Sequence, residues 1–260
     1  KGGRDFWAWS QVFAMVLGAV GVALLLSTQR ASVPGWICAI IGGASLLAGF
    51  LSALVYGLRP DDKWDAQFNA DGTPRAQFRP FSAAFKGGVN VAQGDVTGDG
   101  VADLIVSVAR GGGPIVSVFD GHALALVKSF MPYVPNFTGG VSVAAGDVDG
   151  DGRAEVITGA GAGEYSRVKV FNGMTGTLQL FFFAFGQLYR GGVKVSAGDV
   201  DGDGKADIIA GSGLNMRSTV KIFKGTNGAL LSTIQPFAAG YTGGVTLGSG
   251  DVNGDGHADI

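Results

Sequence analysis

At 260 residues the chain has room for one or two domains, and its net charge of −2 gives no reason to expect a nucleic-acid partner. Its 46 glycines follow no three-residue period and come with only 8 prolines, which excludes a collagen-like helix and suits an all-β protein with many tight turns. The single cysteine, Cys38, excludes an internal disulfide, and two histidines, His122 and His257, are too few for a histidine-rich metal centre.

The first sixty residues obey different rules from the rest. No charged residue occurs from Phe6 to Gln29, nor from Ala31 to Leu58. Each run exceeds the roughly 20 apolar residues that a membrane-spanning helix needs. Between them lies the polar turn Gln29-Arg-Ala-Ser-Val-Pro-Gly35. The expectation is a two-helix transmembrane hairpin over 1–60, in contact with the lipid bilayer through residues 6–58. Trp7, Trp9 and Trp36 sit near the ends of the runs, where an aromatic belt would place them. Ser45, Gly49, Ala53 and Gly57 recur every four residues and would let two helices approach closely. A buried helical pair is the alternative. The flanking charges favour cytoplasmic repeats, against the extracellular or periplasmic placement argued below.

Residues 61–86 read as a junction and a partial blade, since 68–86 resembles the tail of the repeats that follow. Gly-Gly-Val then recurs at 87, 139, 191 and 243, a spacing of 52. The repeats are therefore 87–138, 139–190, 191–242 and a partial 243–260. In the second copy Val141, Val143 and Ala145 alternate with other residues as a half-buried strand should. Val156–Thr158, Val168–Phe171 and Leu178–Phe182 supply three further strands. Four short strands per 50 residues or so match one β-propeller blade. A sandwich or β-solenoid is the alternative. The missing initiator Met, and Ile260 in mid-repeat, read as a piece of a longer protein.

Each repeat carries one acidic loop: Asp95-Val-Thr97-Gly-Asp99-Gly-Val101-Ala-Asp103, Asp147-Val-Asp149-Gly-Asp151-Gly-Arg153-Ala-Glu155, Asp199-Val-Asp201-Gly-Asp203-Gly-Lys205-Ala-Asp207 and Asp251-Val-Asn253-Gly-Asp255-Gly-His257-Ala-Asp259. Oxygen-bearing side chains at positions 1, 3, 5 and 9 suit a hard cation, which takes 6–8 oxygens. The backbone carbonyl of position 7 would add another ligand. On that reading the side chains of Val101, Arg153, Lys205 and His257 have no fixed role. From residue 87 onward, 14 of 16 acidic residues lie in these loops. So tight a cluster repels itself unless a cation neutralises it. Thr97 and Asn253 replace an acid at position 3, so the first and fourth sites are expected to be weaker. An EF-hand is excluded because position 12 is Val106, Thr158 or Ala210 rather than Glu.

These loops, repeated in register, resemble the FG-GAP / VCBS repeat family, whose blades are similar to those of integrin α-subunit propellers and of bacterial surface proteins. The resemblance implies a β-propeller, often seven-bladed, with one Ca²⁺ per acidic loop, up to four here. A four-bladed ring closed by 64–86 against 243–260 is the alternative. The function expected is a membrane-tethered, non-enzymatic binding or adhesion module for a protein or carbohydrate ligand. Its divergent segments, 110–114, 162–167 and 214–218, would share one face. A polysaccharide-acting enzyme, or a structural array beside a transport or secretion component, are the alternatives. No nucleophile–base pair is evident.

Overall fold

The computed structural model describes residues 65–68, 74–78, 80–82 and 84–260. The hairpin expected over 1–60 lies outside them. Among the described residues no helix is long and apolar enough to cross a membrane, and every named element is a β-strand.

A two-stranded antiparallel hairpin comes first, β1 (Asp65–Phe68) with β2 (Pro74–Phe78). Three four-stranded antiparallel sheets follow, each a simple meander like a propeller blade. The first holds β3 (Val89–Gly94), β4 (Asp103–Val108), β5 (Val116–Phe119) and β6 (Leu126–Phe130). The second holds β7 (Val141–Gly146), β8 (Glu155–Ala160), β9 (Arg167–Phe171) and β10 (Leu178–Phe183), the four strands read from the second repeat. The third holds β11 (Val193–Gly198), β12 (Asp207–Ser212), β13 (Val220–Phe223) and β14 (Leu230–Ile234). Pro74 of β2 precedes Leu126 of β6 by the same 52 residues that separate the later copies.

Burial follows from stacking. Every residue of β4, β8 and β12 is buried, because both faces of these near-continuous apolar strands are covered. One core cluster joins Ile105, Val116 and Val118 of the first sheet to Val141, Val143 and Val156 of the second. Another joins Ile157, Val168 and Val170 of the second to Val193, Val195 and Ile208 of the third. Phe130 meets Phe171 at 4.8 Å between ring centres, and Phe182 meets Phe223 at 4.6 Å. The apolar core thus lies between blades, and each blade depends on its neighbour.

The connections repeat as well. Edge-to-face aromatic pairs Phe81–Phe85, Tyr133–Phe137, Phe185–Tyr189 and Phe237–Tyr241 recur every 52 residues where one blade leads into the next. Lys169 and Lys221, in corresponding strands, donate to the Pro132 and Ala184 carbonyls at 2.6 and 3.0 Å and lie over the Tyr133 and Phe185 rings. Gly140 shows why the repeat opens on glycine. Its φ is 88°, and a Cβ there would overlap the Ala109 carbonyl of the preceding blade.

Candidate metal centres

The acidic loops join β3 to β4, β7 to β8 and β11 to β12, and a fourth is closed by the Gly250–Asp259 bridge. All four share one hydrogen-bonding plan. The position 1 carboxylate organises the turn: Asp147 Oδ1 accepts from Gly150 N at 2.6 Å and Asp151 N at 3.2 Å, and its Oδ2 accepts from Gly152 N at 2.9 Å. Asp95, Asp199 and Asp251 do the same in their loops. The turn is possible because positions 4 and 6 are glycine at positive φ, 84° and 87° for Gly150 and Gly152. The position 5 carboxylates of Asp99, Asp151, Asp203 and Asp255 accept from the N–H of Val101, Arg153, Lys205 and His257.

Position 9 is a clasp, buried in the first three loops and half-buried at Asp259. Asp103 Oδ2 accepts from Val96 N and Thr97 N at 2.8 Å each, and its Oδ1 accepts from Gly121 N at 2.9 Å in the β5–β6 turn. Glu155, Asp207 and Asp259 each accept from the residue after position 1, namely Val148, Val200 and Val252. Burial pushes the Glu155 carboxyl up to about 7; the Val148 hydrogen bond pulls the other way, and the charges of Asp149, Asp151 and Asp147 add to the rise. Asp207 is also raised, first by burial.

Several of the expected ligands converge. Carboxylate oxygens of Asp147, Asp149 and Glu155 lie within 4.8 Å of one another, as do those of Asp199, Asp201 and Asp203. The first and fourth loops form no such three-acid group among the described residues. Their third positions are Thr97 and Asn253. The Thr97 hydroxyl oxygen is buried and without a hydrogen-bond partner, and Asn253 Oδ1 accepts from Asp255 N at 2.9 Å. An all-oxygen donor set, the Glu155 and Asp207 carboxyls raised by burial and then by neighbouring charge, and an orphaned hydroxyl at a ligand position all fit a hard divalent cation. The residues that would hold it are those at positions 1, 3, 5 and 9, with the position 7 carbonyl.

One expectation needs correction. Three of the four side chains at position 7, those of Arg153, Lys205 and His257, are not idle, because they reach the loop of the preceding blade. Lys205 Nζ donates to the Asp149 carbonyl at 2.5 Å. His257 Nδ1 lies 3.3 Å from the Val200 carbonyl, with its ring against Gly202. A Cβ on Gly98 would sit 2.8 Å from Arg153 Nε. Position 8 docks the loops further. The N–H groups of Ala154, Ala206 and Ala258 donate to the position 1 carbonyls of Asp95, Asp147 and Asp199 at 2.7, 2.7 and 2.6 Å. Residue choice at position 8 follows from this contact, since Ala154 and Ala206 already press on Gly94 and Gly146. The loops therefore form a hydrogen-bonded series from blade to blade.

Residues of the β5–β6 turn, of β10 and of the β13–β14 turn also reach the loops. His122 Nε2 is 3.8 Å from Asp99 Oδ2, and Gln179 Nε2 donates to Asp149 Oδ2 at 3.5 Å. Lys224 Nζ bridges Asp201 Oδ2 at 2.9 Å and Asp203 Oδ2 at 2.8 Å. That hydrogen bond holds the Asp203 carboxyl below its ordinary range, and the two carboxylates hold the Lys224 ammonium above its own. Alignment of the copies alone exposes the column Asp120, Asn172, Lys224, but nothing in any one copy marks it as facing the loop.

Comparison with known proteins agrees with this geometry. Residues 139–173 match the FG-GAP repeat, and residues 199–260 match the FG-GAP-like repeat. The chain is 26% identical to integrin alpha-8 of Gallus gallus over 209 residues, and 28% identical to integrin alpha-5 of Xenopus laevis over 206 residues. Each match covers 66% of this chain and 19% of the relative. The chain thus spans about a fifth of the length of the curated relatives it matches. Among solved structures it is similar to the exotype rhamnogalacturonan lyase YesX, with TM-score 0.47, 17% identity, and coverage of 74% of this chain and 40% of that one. A Bacillus licheniformis rhamnogalacturonan lyase gives TM-score 0.46, 16% identity, and coverage of 75% and 42%. Likenesses this slight carry no conclusion about a reaction.

Proposed function

We propose that the repeat array is a calcium-stabilised, non-enzymatic binding module, tethered to a membrane through residues 6–58 and displayed outside the cytoplasm. The observation that carries this reading is the series of oxygen-lined loops docked from one blade to the next. A cation in each loop would neutralise the crowded carboxylates and hold the blades in register. Extracellular calcium modules bind at about 10⁻⁴–10⁻³ M, which favours a calcium-rich compartment. The proposed ligands are Asp95, Thr97, Asp99 and Asp103 in the first loop, and the corresponding residues of the other three.

The proposed partner, a protein or carbohydrate, would dock on the β4–β5, β8–β9 and β12–β13 connections. The second of these supports the idea best. Two guanidinium groups approach the Tyr165 ring, Arg190 at 4.1 Å and Arg167 at 5.2 Å from its centre, and Phe183 meets it edge-on at 6.4 Å while packing against the exposed Phe181. Aromatic and arginine side chains are the commonest anchors of binding surfaces. Surface plasmon resonance of the calcium-loaded chain against purified cell-surface proteins and a glycan panel tests the reading. Binding that Tyr165→Ala or Arg190→Ala reduces would support it. No binding to either class, by folded and calcium-loaded protein, would refute it.

A further inference from the structure

We propose that Lys224 is a built-in competitor for the third acidic loop, so that this loop is neutralised without metal and takes calcium only when the lysine withdraws. The inference rests on the calcium reading above and concerns one site within it.

The geometry is specific to one blade. Lys224 Nζ lies 2.9 Å from Asp201 Oδ2 and 2.8 Å from Asp203 Oδ2, the side chains at positions 3 and 5. Its ammonium stands where a cation would be drawn, between two carboxylates that also belong to the only three-acid group formed at positions 1, 3 and 5 among the described residues. The corresponding residues of the other blades do something else. Asp120 Oδ1 accepts from His122 N and Ala123 N, and Asn172 Oδ1 accepts from Thr175 N and Thr175 Oγ1, so both cap their own turn. Lysine has no acceptor and cannot cap. In the third blade Asn227 Oδ1 accepts from Ala229 N, and the Lys224 side chain is left to reach the loop. Its backbone is held by Lys224 N to the Ala229 carbonyl at 2.8 Å and by Gly228 N to the Lys224 carbonyl at 2.8 Å. The side chain can therefore move while its root stays fixed.

The consequence concerns the order of filling. The third loop carries four acids and by acid count ties with the second for strongest site. With one charge already matched, it loses an ion pair on binding calcium, and the second loop loses only the 3.5 Å contact from Gln179. The second loop should fill first.

The test is a reciprocal exchange in the full chain, read by calcium calorimetry and by melting temperature in calcium and in chelator. Lys224→Asn should tighten one class of sites by about two- to fivefold, a range set by the modest strength of exposed ion pairs. It should lower the melting temperature in chelator and lose that deficit in calcium, a reversal that a merely structural lysine would not produce. Asp199→Ala in the same chain should abolish the gain, assigning it to the third loop. Asn172→Lys should weaken the second site and serves equally if Lys224→Asn does not fold. Calcium binding by the parent chain that neither exchange alters would overturn the inference and leave the calcium reading intact. Absence of binding by the parent chain and by both variants would overturn both.

Discussion

The second and third acidic loops follow the same nine-residue pattern and the same backbone path, yet they balance their charge by different means. In the second, Asp147, Asp149 and Glu155 converge with no ion pair to their carboxylates among the described residues, the Lys205 ammonium reaching only the Asp149 carbonyl, and burial raises Glu155. In the third, the Lys224 ammonium sits on Asp201 and Asp203, and Asp203 is correspondingly lowered. Local sequence sets the turn in both cases; a residue about twenty positions away sets the electrostatics. A motif therefore identifies a loop that can hold a cation, and its neighbours across the sheet decide how much the loop needs one.

The largest expected effect on both loops is that of adding calcium and then removing it with a chelator. At a tenfold excess over Kd each filled site adds about 1.4 kcal/mol, so two sites contribute about 3 kcal/mol. For an array of this size that corresponds to a fall of about 6–12 °C in melting temperature on chelation. Differential scanning calorimetry in calcium and in chelator measures it, and an unchanged transition would leave the loops as ordinary turns.

Next in size is the loss of a position 1 carboxylate. Asp147→Ala removes three hydrogen bonds from backbone N–H groups and should cost about 2 kcal/mol even in chelator. The same change at Asp199 should cost a similar amount, because the turn plan is common to both loops. Urea unfolding compares them; unequal losses would show that the backbone paths are not equivalent in energy.

Acidity separates the loops more finely. Folded Glu155 keeps its proton up to about 7, whereas its ordinary value is 4.5. Between these values the folded state binds more protons than the unfolded, so metal-free stability should fall as pH rises from about 4.5 to about 7, by up to about 3 kcal/mol. Glu155→Gln should flatten that slope, and so should calcium. Asp207, raised from 3.8, adds a slope of the same sign in the third loop, whereas the lowered Asp203 acts only below 3.8 and adds none over this window. A slope rising with pH over this window, read from urea midpoints in chelator, would contradict the burial argument.

The smallest effect lies between the loops. Lys205→Met deletes the hydrogen bond to the Asp149 carbonyl and should cost about 0.5–1 kcal/mol, with a change in calcium affinity at the second loop although Lys205 belongs to the third. A change confined to the third loop would mean that the series of docked loops does not transmit.

Much of this architecture was readable from residues alone, because its causes are local. The 52-residue period, the alternation in Val141–Ala145 and the Asp-Gly spacing each act within a few residues of chain, and they placed β7–β10 and the four loops. What could not be read depends on partners in the next blade. Position 7 varies as Val101, Arg153, Lys205 and His257, which resembles indifference until the loop of the preceding blade is in place. Ala154 and Ala206 are small because Gly94 and Gly146 lie against them, a constraint visible only across sheets. The aromatic pairs at 133/137, 185/189 and 237/241 did carry a signal, since they keep the 52-residue spacing, but their apolar character blends with that of the flanking strands.

Equilibrium dialysis of the full chain against radioactive calcium at millimolar concentration tests the proposed role of the carboxylates most directly, because it counts ions rather than inferring them. Between one and four ions per chain should be retained, with the first lost in Asp147→Ala. Retention of none, by folded protein in ten millimolar calcium (about ten times the weakest expected Kd), would contradict it.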